Sequence, residues 1–141
     1  DEIQTYEDKE KKIKTIAGKF KNAEGVIKGH NVEPIYFDIE LIKNKEFQFD
    51  LPEKHNSFIY LVNGEIEIGG KKHSQLKDST LILLTHGKRL NIKSVTNSKF
   101  LLISGKPINE QIARGGPFVM NTKSEILEAV NDFHNGTFIK K

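Results

Sequence analysis

Any chemistry in this 141-residue chain must come from histidines, carboxylates and hydroxyls, because it contains no cysteine. Thiolate nucleophiles, disulfides and cysteine-based zinc sites are excluded outright. Its histidines are His30, His55, His73, His86 and His134. A non-haem iron site needs two imidazoles and a carboxylate held on one face. No two of these histidines are separated by a single residue, and His55 has no partner at H-x-H spacing. His86 stands beside Gly87 at an expected turn, so with His55 it makes at most a weak, adventitious metal site. His30 and His73 lie among Gly and Lys in expected turns. His134 falls where a helix C-terminus favours a cation.

Nucleophilic and phosphate chemistry fare no better. Ser57, Ser74, Ser79 and Ser104 lack the strand–turn–helix context of a nucleophile elbow. Gly115-Gly116 comes nearest to a phosphate cradle, but Pro117 removes a donor and Phe118 fills the space with apolar bulk. Tyr36, Phe37, Phe47, Phe49, Phe58 and Tyr60 have the character of a pocket lining or of plain core. Core is the better reading, since small barrels are filled by their own side chains. The expectation is a chain with no catalytic residue and no metal site of its own.

Composition narrows the class. The formal charge of +3 is nearly all lysine, with Arg89 and Arg114 the only arginines. Nucleic-acid readers concentrate arginine for bidentate contacts, so no nucleic-acid partner is expected. No apolar run is long enough to span a membrane, and no secretory leader opens the chain. A cysteine-free soluble domain suits the cytoplasm. The chain starts at Asp1 and its only methionine is Met120, so it is expected to be a piece of a longer protein.

The elements that would position these residues are mostly strands. Ile35, Phe37, Ile39 and Leu41 alternate with polar neighbours, as do Phe47, Phe49 and Leu51. Phe58–Val62 and Glu65–Ile68 flank Asn63-Gly64, the preferred pair of a type I′ hairpin turn. Gly69-Gly70 marks a reversal into Lys71–Gln75. Leu81-Ile82-Leu83-Leu84 reads as a strand buried on both faces. Leu90 and Ile92 alternate, and Phe100–Ile103 forms a last apolar strand. Residues 1–12 read as a frayed or extended lead-in, and 13–104 as an all-β sandwich or barrel. A Gly/Pro-rich connector covers 105–121. Thr122 and Glu125 then form a capping box that opens a helix over Lys123–Asn135, closed by Gly136 within a tail running over 122–141.

The connector and helix carry a family resemblance. Gly105–Phe138, and GPFVMNT at Gly116–Thr122 above all, resembles the C-terminal signature of the pirins. IKTIAGKF near Ile13, EPIYFDIEL at Glu33 and FIYLVNGEIEIGG at Phe58 extend it, the last two resembling the first cupin hairpins. Gln111 departs from the usual proline. The resemblance implies a cupin, a jelly-roll-like β-sandwich or barrel with one C-terminal helix, forming the second half of a bicupin. It also implies that iron or a similar divalent metal belongs to the N-terminal domain, outside this chain. Some members oxidise quercetin as 2,3-dioxygenases, and others act as transcription co-regulators. In the cupin pattern the carboxylate position falls on Ser57, the H-x-H pair near Asp50–Glu53, and the third histidine near Lys88.

The expected role is therefore that of a non-catalytic cupin packed against a metal-bearing partner half, with a homodimer or a regulatory protein as alternative partners. Pro107, Ile108, Ile112, Pro117, Phe118 and Val119 give the connector more apolar surface than an exposed loop should show, and are expected to form the docking surface.

Overall fold

The computed structural model of the chain describes residues 2–28, 31–69 and 76–139. It divides into two compact units, Asp1–Pro107 and Ile108–Lys141. His30, His73 and the expected strand at 71–75 lie outside the described residues.

In the first unit the strands run β1 (Thr5–Glu7), β2 (Lys11–Ala17), β3 (Lys19–Phe20), β4 (Ala23–Glu24), β5 (Ile35–Leu41), β6 (Glu46–Asp50), β7 (Asn56–Asn63), β8 (Glu65–Ile68), β9 (Leu76–Lys77), β10 (Thr80–Leu83), β11 (Arg89–Ser94) and β12 (Ser98–Gly105). A six-stranded sheet has the order β1-β2-β5-β12-β7-β10, and a four-stranded sheet the order β6-β11-β8-β9. The sandwich expected from strand periodicity is present.

Alternation decides which side chains enter the space between the sheets. On β5, Ile35, Phe37, Ile39 and Leu41 are buried. On β12, Phe100 and Leu102 point the same way, with Ser98 and Ser104 at the two ends. The second sheet contributes Phe47, Ile66, Leu90 and Ile92. Phenylalanine rings lock the layers. Phe47 meets Phe100 edge-on at 6.0 Å between centroids, and Phe37 meets Phe49 edge-on at 5.1 Å. Phe20 joins through Phe37 and Phe47 at 5.9 and 5.8 Å. Losing one such ring to alanine costs about 3–5 kcal/mol.

Three sequence expectations need correction here. Residues 1–12 are not merely a lead-in: β1 pairs antiparallel with β2, Tyr6 opposite Ile13. The turn is held by Asp8, whose carboxylate accepts from the Glu10 and Lys11 amides at 2.7 and 2.9 Å and from the Tyr6 hydroxyl at 2.8 Å. These hydrogen bonds, the Glu10 amide's first, hold the Asp8 carboxyl below its usual pKa.

Asn63-Gly64 is not a hairpin turn. β7 pairs with β12 and β10, whereas β8 pairs with β11 and β9, so the chain crosses between sheets at this dipeptide. A type I′ turn needs positive φ at both central residues. Only Gly64 has it, at φ +92°.

Leu81–Leu84 is not buried on both faces. β10 is an edge strand of the six-stranded sheet. Ile82 and Leu84 pack against the core, while Leu81 and Leu83 are 58% and 77% exposed.

The second unit contains β13 (Ala113–Gly115), β14 (Phe118–Met120) and the helix α1 (Lys123–Asn135). The connector thus holds a hairpin, β13 paired with β14, that three-residue strands were too short to announce. Gly115 lies directly beneath Ile126, where any Cβ would collide with its side chain. The capping box forms as expected. The Glu125 amide donates to Thr122 Oγ1 at 3.2 Å, and the Thr122 amide returns to Glu125 Oε2 at 2.7 Å. Gly136 closes the helix at φ 71°. No helix among the described residues is long and apolar enough to cross a membrane.

Candidate functional site

The positions that a cupin pattern gives to metal ligands fall at and just after the end of β6, at the start of β7 and just before β11. β12 ends with its Ser104 side chain turned inward, only 2% exposed. Ser57, opposite it on β7, donates its hydroxyl to Ser104 Oγ at 2.8 Å. His55, one residue ahead of β7, is 7% exposed and places Nδ1 3.2 Å from the same oxygen. With the imidazole proton on Nε2 Ser104 donates to Nδ1, and with it on Nδ1 the imidazole donates to Ser104 Oγ. The result is a hydroxyl–hydroxyl–imidazole row where β7 begins and β12 ends.

The other expected positions are taken up by ion pairs. Arg89 grips Asp50 with two bonds, Nε to Oδ1 at 2.7 Å and Nη2 to Oδ2 at 3.2 Å. These hydrogen bonds hold the Asp50 carboxyl below its usual range and raise Arg89 above its own. Lys88 reaches Glu53 Oε2 at 3.7 Å. His86, the second weak candidate, is exposed, and its Nδ1 lies 3.2 Å from the Glu53 carbonyl oxygen. The two histidines are therefore tied through Nδ1 to different partners.

Among the described residues no three His, Asp or Glu side chains gather as metal ligands. The donor set offers a hydroxyl pair, one tethered imidazole and carboxylates already matched to cations. These residues do not fit an iron-type centre, which needs several neutral imidazoles and a free carboxylate converging.

A groove of about 540 Å³ runs beside His55, lined also by Gly18, Lys19, Gly25, Ile27 and Pro52. Gly25 lets the chain pass close to β2, since a Cβ there would stand 2.5 Å from Ala17 Cα. The aromatic set divides by strand parity. Phe37, Phe47 and Phe49 belong to the core, whereas Tyr36, Phe58 and Tyr60 occupy the outer face of the six-stranded sheet.

The expected docking residues also divide. Ile108, Ile112 and Val119 are exposed, at 61%, 71% and 60%. Pro107 is half-buried at the end of the first unit, and Pro117 is exposed in the β13–β14 turn. Phe118 is already engaged within the second unit, its ring centroid 6.0 Å from Phe133 and 5.3 Å from Phe138. Sequence reasoning weighed Ser104 only as a nucleophile and did not place it beside His55 and Ser57, which lie 49 and 47 residues away in the chain.

The family described as the pirin C-terminal cupin domain matches residues 36–139. A pirin-like protein from Solanum lycopersicum is 38% identical over 104 residues, covering 72% of this chain and 36% of the relative. The crystal structure of a quercetin 2,3-dioxygenase from Acinetobacter baumannii superposes with a TM-score of 0.84 at 31% identity. It covers 96% of this chain and 47% of that one. A bacterial pirin from Escherichia coli, solved in complex with nickel(II), shares the fold at 16% identity, with a TM-score of 0.50 over 56% of this chain and 33% of its own. The chain spans about half the length of the curated relatives it matches first, 45% and 54%.

Proposed function

The chain belongs to the pirin C-terminal cupin family, and from that premise we propose that it is the non-catalytic half of a pirin-like protein. Its role is to pack against a preceding cupin half that holds the iron or similar divalent metal. The observation that carries this reading is the fate of the ligand positions. Ser57 stands at the carboxylate position and hydrogen-bonds Ser104, and Lys88 at the third-histidine position pairs with Glu53. A cation and a neutral hydroxyl at those places oppose a bound metal. Phenylalanine rings pack between the two sheets, Phe37 against Phe49 at 5.1 Å and Phe47 against Phe100 at 6.0 Å.

Metal analysis of the purified chain, after incubation with Fe(II), Ni(II) or Zn(II) and desalting, is expected to find no stoichiometric metal. One equivalent retained would overturn the reading. An intact mass of the source protein is expected to reveal a preceding stretch of comparable length.

The likeness to the Acinetobacter baumannii enzyme favours a second reading for the full-length parent, a quercetin 2,3-dioxygenase whose chemistry sits in the preceding half. Oxygen uptake with quercetin by the parent, and none by this chain alone, is the outcome that reading requires.

A further inference from the structure

His55 leaves half of its imidazole unused. The residue is 7% exposed, and its Nδ1 is taken up by Ser104 at 3.2 Å. Nε2 has no hydrogen-bond partner among the described residues. A ring so little exposed offers scant water in place of a partner, and polar atoms in that position are normally matched. The ring borders the groove of about 540 Å³, which lies where β2 ends and where β5 and β7 begin. That volume falls within the range of small-molecule sites.

The groove has a fixed wall, an apolar side and one unmatched cation. The wall is the segment after β4. There the Gly25 amide donates to the Gly18 carbonyl at 2.8 Å and the Ile27 amide to the Ile16 carbonyl at 3.1 Å, which pins the segment to the end of β2. Ile27, 41% exposed, joins Pro34 and Pro52 on the apolar side. Charged residues line the groove too, and most are matched. Lys28 pairs with Glu24 at 3.2 Å, and Glu33 with Lys106 at 3.6 Å. Lys19 stands opposite Glu24 across the β3–β4 ladder, but that carboxylate reaches Lys28 instead. Among the described residues Lys19 makes no ion pair. The unmatched positive charge and the free imidazole nitrogen therefore belong to the same groove.

We propose that this groove is a binding site for a small organic carboxylate with an apolar body. The carboxylate accepts from His55 Nε2 and from the Lys19 ammonium, charge-assisted bonds stronger than neutral ones. The body lies along Ile27, Pro34 and Pro52. An acceptor at Nε2 holds the imidazole proton on that side, so Ser104 donates to Nδ1 and the Ser57–Ser104–His55 row runs in one direction. Inorganic phosphate has no body to cover the apolar side. A divalent metal would meet a single imidazole beside a cation.

Benzoate, benzamide and inorganic phosphate are the probes, titrated into the isotope-labelled 141-residue chain and followed by NMR. Benzoate is expected to move the Gly18, Lys19, Gly25 and His55 signals and to saturate with a Kd on the order of 1 mM, in keeping with its few atoms. Benzamide has the same shape without the charge and is expected to bind about tenfold more weakly. Phosphate should leave these signals in place. His55→Asn keeps a polar group beside Ser104 but removes Nε2, and Lys19→Gln removes only a charge at an exposed position. Each is expected to weaken benzoate binding about tenfold while the rest of the spectrum stays put. Equal affinity for benzoate and benzamide, or full affinity in Lys19→Gln, would overturn the carboxylate contact. A response to phosphate matching that to benzoate would overturn the organic ligand. Shifts spread over the surface lysines without saturation would overturn the site itself. So would binding that vanishes in the full-length parent, where the groove would then be covered.

Discussion

Gly64 is pressed against Ser98: a Cβ built on Gly64 would stand 2.5 Å from Ser98 Oγ and 2.7 Å from its Cα. The same serine accepts from the Glu65 amide at 3.2 Å and donates to the Glu65 carbonyl at 3.0 Å. The glycine is thus required twice, for its φ of +92° and for the room it leaves where the chain passes from one sheet to the other. Gly64→Ala is expected to cost roughly 2–4 kcal/mol, combining left-handed strain with overpacking. Urea unfolding measures it as a lower midpoint at constant slope. A loss under about 0.5 kcal/mol would show that the crossing is not held this tightly.

How much of this was legible in the sequence depends on how far each signal reaches. β5 and α1 could be read because their determinants are local: alternation over Ile35–Leu41 and the Thr122–Glu125 box each lie within a few residues. The Asn63-Gly64 pair carries the same local signal whether the chain turns back or crosses over, and only Ser98, 34 residues on, decides. The run Leu81–Leu84 announces apolar surface but not that β10 lies at an edge. The site was half legible. The failed ligand pattern showed in Ser57 and Lys88, while the His55–Ser104 contact depends on β12 lying beside β7.

Thr15 offers a test with the opposite sign. Its side chain on β2 is fully buried, and Oγ1 has no hydrogen-bond partner among the described residues. Valine has the same shape without the stranded hydroxyl, and an unmade buried bond costs about 1–3 kcal/mol. Thr15→Val is expected to stabilise the protein by about 1 kcal/mol, seen as a higher thermal midpoint. A lower midpoint would mean that the hydroxyl finds a partner in solution.

Phe118 and Ile108 separate packing within the second unit from an exposed surface. Phe118 contacts Phe133 and Phe138, whereas Ile108 is 61% exposed. Phe118→Ala is expected to loosen the hairpin and helix by about 2 kcal/mol, lowering helical circular dichroism and raising amide exchange over α1. Ile108→Ala should leave both signals unchanged. Equal effects from the two variants would contradict this division.

The capping box makes the helix sensitive to acid. Its direction follows from the Glu125 carboxylate, which accepts from the Thr122 hydroxyl at 2.9 Å, the Thr122 amide at 2.7 Å and the Asn121 amide at 3.0 Å. The Thr122 hydroxyl is the leading cause that holds its pKa below the usual glutamate value, with the amides adding to it. A folded pKa below the unfolded one means that the unfolded chain binds the proton more readily. The stabilisation is therefore complete above the ordinary glutamate range and is lost as pH falls through the lowered value. Glu125→Gln keeps an acceptor but cannot titrate, so its helix signal should change less with acid than that of the parent sequence. The difference between the two titrations isolates this one carboxylate from Glu128 and the other acids. Superimposable titrations would show that the Glu125 bonds seen here do not persist in solution.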